Sequence, residues 1–210
     1  LQFADGTGSD ANSQRGIQSR GNLRTLFPLN FDERHRIVTT IDYRYGSGRR
    51  YNGPRIAGKD ILADFGVNLQ AIAVSGRPYT ATSIPVPFGG QGIGGQINGS
   101  QLPWNFTLNL RVDKSFNLTK PTAKRQMGVN VYIRIQNLLD NDNVLAVYSA
   151  SGAADDDGFL SSPDGQETLD ELTNNGQNVD AYLASYSWRI LNPNFYSLPR
   201  RIFLGAIFNF

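Results

Sequence analysis

Few residues in this chain of 210 stand where catalysis would need them. His35 is the only histidine, set among Asp32, Glu33, Arg34 and Arg36. Alone it can relay a proton or hold a strand end at a polar surface, but it has no second imidazole with which to share a transition metal. Asp155, Asp156 and Asp157, followed by Gly158 and later Asp164 and Glu167, offer the oxygen ligands that calcium takes. The EF-hand spacing is absent, because aligning Gly158 with the required glycine puts Ala153 at the first ligand position. The stretch therefore reads first as a solvated acidic loop, and residues 155–167 are where a cation would be sought. GGQGIGGQINGS has glycines enough to cradle a phosphate, yet no Lys-Ser/Thr follows and no helix opens there, so it reads as a flexible loop within Ile84–Pro103. No nucleophile, base and orienting group stand at a recognisable spacing, and the expectation is a protein that is not an enzyme.

Bulk properties narrow the classes further. There are no cysteines, which removes disulfides, thiolate chemistry and Cys-ligated zinc. The net charge is +2, and basic residues are interspersed with acidic ones rather than gathered into a stripe, so a nucleic-acid partner is not expected. The mean hydropathy of −0.35 is that of a soluble protein, but a membrane barrel also averages out as polar. No run of about 18 apolar residues exists, so a spanning helix is excluded and only strands could cross a bilayer. The chain opens on Leu1 without a basic and apolar leader, so any secretion signal is expected upstream.

What must position these residues is a set of alternating strands. From Trp104 to Phe116, one face carries Trp104, Phe106, Leu108, Leu110, Val112 and Phe116, and the other Asn105, Thr107, Asn109, Arg111, Asp113 and Ser115. Aromatics bracket an aliphatic band, the pattern selected by two membrane interfaces with hydrocarbon between them. Lys114 departs from that face near one end, where a long side chain can snorkel. Val129–Gln136 repeats the rule, with Asn130, Tyr132, Arg134 and Gln136 opposite its valines and isoleucines. The polar turn between them holds Lys120, Pro121, Lys124 and Arg125. Ile37–Tyr45 alternates against Arg36–Arg44, about Leu62–Val74 sets Phe65, Val67 and Leu69 against Asp64, Gly66, Asn68 and Gln70, and about Arg200 to the terminus aligns Ile202, Leu204, Ala206, Phe208 and Phe210. Five strands of about 9 to 13 residues match the roughly 9 to 11 needed to cross a bilayer at a tilt.

Connections alternate short and long, with external loops expected at 1–33, about 76–103 and about 140–199 of a barrel region covering 34–210. Gln166–Leu172 and Val179–Tyr186 within the last loop have a weak helical signal. The polar faces assign Arg44, Asp64, Asn68, Gln70, Asn109, Arg111, Asp113 and Arg134 to the barrel interior, with Arg36, Asp42, Asn130 and Gln136 beside them. Tyr182, Tyr186, Trp188, Phe195 and Tyr196 are available to stack on a ligand, or to pack the loop.

LPRRIFLGAIFNF at the terminus resembles the carboxy-terminal signal by which barrel-assembly machinery recognises outer-membrane proteins, with Phe208 and Phe210 as its aromatics. IRIQNLLDNDN at Ile133–Asn143 resembles the "NLFD" segment of TonB-dependent receptors. FDERHRIVTTIDYRYGSG at Phe31–Gly48 and SGRPYTAT at Ser75–Thr82 resemble late barrel strands of the large receptors with a carboxypeptidase-regulatory-like amino-terminal domain. The resemblance implies an all-β fold, the last five strands of a 22-stranded transmembrane antiparallel barrel in a bacterial outer membrane. It further implies a plug domain absent from this chain, a periplasmic TonB-type energy-coupling protein as partner, and active uptake of a glycan, peptide or metal chelate, and it admits a surface lipoprotein as a further partner. Five strands cannot close, and open edges in lipid cost several kcal/mol per unsatisfied group, so the chain is expected to be part of a longer receptor or to be completed by another chain. Two rivals remain: a structural or adhesive barrel without a transport cycle, and a secreted carbohydrate-binding β-sandwich, which would leave the apolar bands at Trp104–Phe116 and Ile202–Phe210 exposed to water.

Overall fold

The computed structural model describes residues 3–4, 26–85, 92–119 and 125–210. Most of the first loop, Lys120, Pro121 and Lys124 of one turn, and the start of the glycine-rich stretch lie outside the described residues. The chain is mostly β, with 37% in strands and 17% helical. Its main element is one five-stranded sheet built from β1 (Arg36–Arg44), β2 (Phe65–Val74), β3 (Asn105–Asn117), β4 (Gly128–Gln136) and β5 (Arg201–Asn209), each beside its neighbour in sequence. All pairings are antiparallel. β3, β4 and β5 follow a continuous register in which Ile133 lies opposite Val112 on one side and Leu204 on the other. No closure into a barrel is seen among the described residues, so β1 and β5 are edges.

Strand bounds fall within a few residues of those expected from alternation, with one correction of substance. Asp64 is not a strand residue on the interior face. It occupies a turn with φ +55°, and its backbone carbonyl accepts from Ser115 N at 3.1 Å. Alternation cannot see this, because a residue in phase just before a strand looks like its first member. Likewise the connection 45–64 is no tight turn: it carries a one-turn 3-10 helix at Gly48–Arg50 and a small hairpin of Arg55–Ile56 with Lys59–Asp60.

By contact the chain divides into two units. One holds most of the sheet, residues 37–73, 106–142 and 198–210. The other comprises 74–105 and 143–197 with the residues before Ile37. Within that second unit the connections bond to each other: Asn98 Nδ2 to Pro28 O at 2.7 Å, Gln96 Nε2 to Leu26 O at 2.8 Å, and Thr82 N to Ser149 O at 3.0 Å. It contains two helices, so the chain is not purely β. In α1 (Pro163–Asn174), Ser162 caps the amino terminus by accepting from Gly165 N at 3.2 Å, and Pro163 takes the first position. In α2 (Val179–Ile190), Asn178 caps by accepting from Ala181 N at 3.0 Å, with Asp180 and Arg189 at the ends that suit their charges.

Where the apolar residues are buried is informative. Those buried among the described residues are Tyr51, Ile97, Ala154, Phe159 and Tyr186, and none belongs to the sheet. The sheet instead exposes Ile202 at 66%, Leu204 at 76% and Phe208 at 68%. A water-soluble sheet would bury the large apolar side chains of one face, and among the described residues none of this sheet's is buried.

Candidate functional site

The five-stranded sheet has two chemically distinct faces, and the register fixes both. On the first, Phe116, Val129 and Phe208 form one cross-strand row, Val112, Ile133 and Leu204 another, and Leu110, Ile135 and Ile202 a third. Next to β1, Tyr45 donates its N–H to Phe65 O of β2 at 2.9 Å, bringing two further aromatic residues together. Lys114 lies on this face. Its ammonium leaves the apolar surface by donating to Ile61 O and passing over the Phe116 ring at 5.4 Å, the snorkelling its position called for.

The opposite face is organised around Asp113, which is 6% exposed. Arg44 reaches it from β1 with both carboxylate oxygens 3.0 Å from Nη2, crossing β2 on the way. That crossing requires Gly66, since a Cβ there would sit 2.7 Å from Arg44 Nη2 and 3.1 Å from Asp113 Oδ1. From β4, Asn130 Nδ2 donates to Asp113 at 2.8 Å and to Ser115 Oγ at 2.9 Å. Arg111 lies 3.9 Å from Asp113 and stacks over Tyr132 at 4.5 Å, and Tyr132 in turn lies across Gly205 of β5, where a Cβ would be 2.5 Å from the phenol. One chain of contacts thus spans all five strands, with glycines where a long side chain must pass.

Of the residues expected on this face, Arg44, Arg111 and Asp113 come together. Asn68 donates to Asp42 at 3.0 Å and Asn109 to Gln70 at 3.3 Å, forming separate cross-strand pairs. Arg134 lies directly opposite Arg111. Two residues escaped the sequence reading: Phe203 and Ile207 occupy the polar face, beside Arg134 and Asn130, each 45% exposed. β5 is therefore apolar on both sides.

Asn137 also escaped notice. It adopts φ +53° and is buried at the end of β4. It donates from Nδ2 to Asn141 O at 3.0 Å and Leu198 O at 3.3 Å, accepts from Asn141 N, and donates its own N–H to Asn109 Oδ1 at 3.2 Å. Asp140, also at positive φ, accepts from Arg200 N at 2.7 Å. QNLLDND is thus a knot joining β3, β4 and the approach to β5. The cue was an Asn and an Asp at a strand end, the residues that best tolerate the left-handed region.

In the second unit the helices bound a cleft of about 460 Å³ lined by Asp155, Asp156, Leu160, Gln166, Leu183 and Tyr186. Tyr186 is not free to stack on a ligand: it is buried, donates to Asp157 Oδ2 at 2.6 Å, and lies 5.5 Å from the Phe159 ring and 6.0 Å from Tyr182. Burial first, then the bonded Asp157 carboxylate, push its phenol well above the ordinary tyrosine value, and burial and Asp157 raise Tyr148 as well. Phe195 packs against Tyr148 at 4.9 Å, and Tyr196 forms a backbone bridge with Val144. Trp188, 77% exposed, remains available to a ligand.

The carboxylates at 155–157 do not converge. Asp157 accepts from Tyr186 and from Phe159 N at 3.1 Å, and Asp156 accepts from Gly158 N at 2.8 Å. Among the described residues no three His, Asp or Glu side chains form a metal-ligand group. His35 stacks on Trp104 at 6.0 Å and exchanges bonds with Ser75, a structural role. Comparison with protein-family models, curated proteins and solved structures found no match to this chain.

Proposed function

We propose that this chain forms part of the wall of an outer-membrane β-barrel, the carboxy-terminal strands of a TonB-dependent receptor that takes up a nutrient from outside the cell. The observation that carries the reading is the sheet's two-facedness in register. One face presents aliphatic rows closed at one end by Phe116 and Phe208, and the other a polar network about Asp113. Lipid accounts for the first and a water-filled or plugged interior for the second. Strands of 9 to 13 residues suit a tilted crossing. The unpaired edges of β1 and β5 call for further strands, since lipid leaves no free edge.

The receptor assignment rests on the resemblance of the QNLLDND knot and the terminal aromatic strand to that family. Here the sheet supplies the wall, the segments 26–35, 75–104 and 143–197 the external surface, and Trp188 an exposed aromatic for ligand contact. Barrel-assembly machinery would read β5, while a plug and an energy-coupling protein would supply the transport cycle. The test is fractionation of the complete protein in its native cell, followed by cross-linking to the periplasmic energy-coupling protein. Heat-modifiable protein in the outer membrane with a cross-link supports transport. Outer-membrane protein without one favours a structural barrel, and protein in the soluble fraction favours a secreted sandwich.

A further inference from the structure

On the polar face, β4 places Arg134 directly opposite Arg111 of β3 and directly opposite Phe203 of β5, and Arg201 follows one step along β5. Like charges directly opposite on one face destabilise an antiparallel pair, their Cβ atoms being only about 4.5 to 5.5 Å apart. Among the described residues only Arg111 of these three arginines has a carboxylate partner, and that carboxylate is shared. Asp113 is held by Arg44 and Asn130 and lies 3.9 Å from Arg111, while Asp42 engages Asn68. Among the described residues neither Arg134 nor Arg201 has a carboxylate within 4.0 Å. Arg111 leans over Tyr132 and Arg201 over Phe203 at 6.0 Å, so both guanidiniums lie against rings. The cluster lies toward the sheet end from which the connection 137–200 leaves.

We propose that Arg111, Arg134 and Arg201 form an oxyanion-binding site for a small solute bearing carboxylate or phosphate groups. Guanidinium forks match both groups with paired N–H donors, and a doubly charged oxyanion between opposed arginines turns repulsion into attraction. Phe203 gives the site an apolar wall, which suits an organic anion with a carbon skeleton. The site needs only that this face meet water, so it stands independently of the membrane assignment.

The experiment is a thermal-shift and calorimetric titration of the complete protein with citrate and, separately, with pyrophosphate, against sodium chloride at matched ionic strength, in wild type, R134Q and R201Q. Saturable binding of either oxyanion, weakened about tenfold or more in R134Q, is expected, each such loss corresponding to removal of a charge-assisted fork. Citrate binding alone would identify a carboxylate solute, and pyrophosphate binding alone a phosphate. Response to neither beyond that to chloride would overturn the site. So would wild-type affinity retained in both variants. A lower melting temperature in R134Q, with no anion response in wild type, would overturn it in favour of an acidic segment of the protein already seated on the arginines.

Discussion

Replacing Asp113 by Ala removes the centre of the polar network. The residue is 6% exposed and receives a two-oxygen contact from Arg44 and a 2.8 Å bond from Asn130. Breaking a fully buried pair costs about 3 to 5 kcal/mol, and an exposed one about 0 to 1. Arg44 is 49% exposed along its side chain, so it rehydrates when its partner goes, and Asn130 keeps its bond to Ser115. The loss should therefore fall near the middle, about 2 kcal/mol. Gly66→Ala reaches the same interaction by another route, its Cβ occupying the space through which Arg44 passes. It should cost about 1 to 2 kcal/mol. Since both remove one contact, the double variant should lose about 1 kcal/mol less than the two single losses together. Reversible urea unfolding of the complete protein in detergent or lipid vesicles gives the three values. Strict additivity, or an Asp113→Ala loss under about 0.5 kcal/mol, would refute the idea that Arg44 is held across β2.

Leu110→Arg, placed in the aliphatic rows, should lower stability by about 2 to 4 kcal/mol in lipid, while Asn109→Ala on the other face should cost under about 1; similar losses would mean that the facing is wrong. On the proposal that the terminal aromatic is part of an assembly signal, Phe210→Asp should reduce the amount of heat-modifiable protein in outer membranes; unchanged assembly would remove that role. Tyr186 should give the loop unit an alkaline limit. Its folded pKa is raised above the ordinary 10.0, so the protonated phenol contributes stability that is whole below pH 10 and lost as pH climbs beyond it. Tyr186→Phe, which forfeits the bond to Asp157, should lower the loop unit's stability by about 1 to 2 kcal/mol at neutral pH and flatten its decline above pH 10, read by near-ultraviolet circular dichroism.

The sheet was legible because period-two alternation is a local signal. Phe106, Leu108, Leu110 and Val112 declare a face without reference to any other strand, whereas Phe203 and Ile207 blur the alternation from Ile202 to Phe208. The register was not legible, since it depends on which residues meet. Only pairing Arg134 with Arg111 and Phe203 reveals the arginine cluster, and only the path of Arg44 explains Gly66. Asp64 misled because phase continues past the end of a strand. Tyr186 misled because an aromatic in a polar loop looks exposed until a buried carboxylate, Asp157, is found to accept its hydroxyl. In the run 155–157, spacing shows that carboxylates are adjacent, not that backbone N–H groups bond Asp156 and Asp157 and a phenol bonds Asp157.

The central claim is that one face of the sheet meets lipid and the other water. The chain has no cysteine, so single cysteines can be placed one by one along β3 and β4 and labelled with a nitroxide in the membrane-embedded complete protein. Collisional relaxation by oxygen should peak at Leu108, Leu110, Val112, Val131 and Ile133, and relaxation by a water-soluble nickel complex at Asn109, Arg111, Asn130 and Arg134, alternating with period two. Equal access of the nickel complex to both sets would place both faces in water and contradict the membrane assignment.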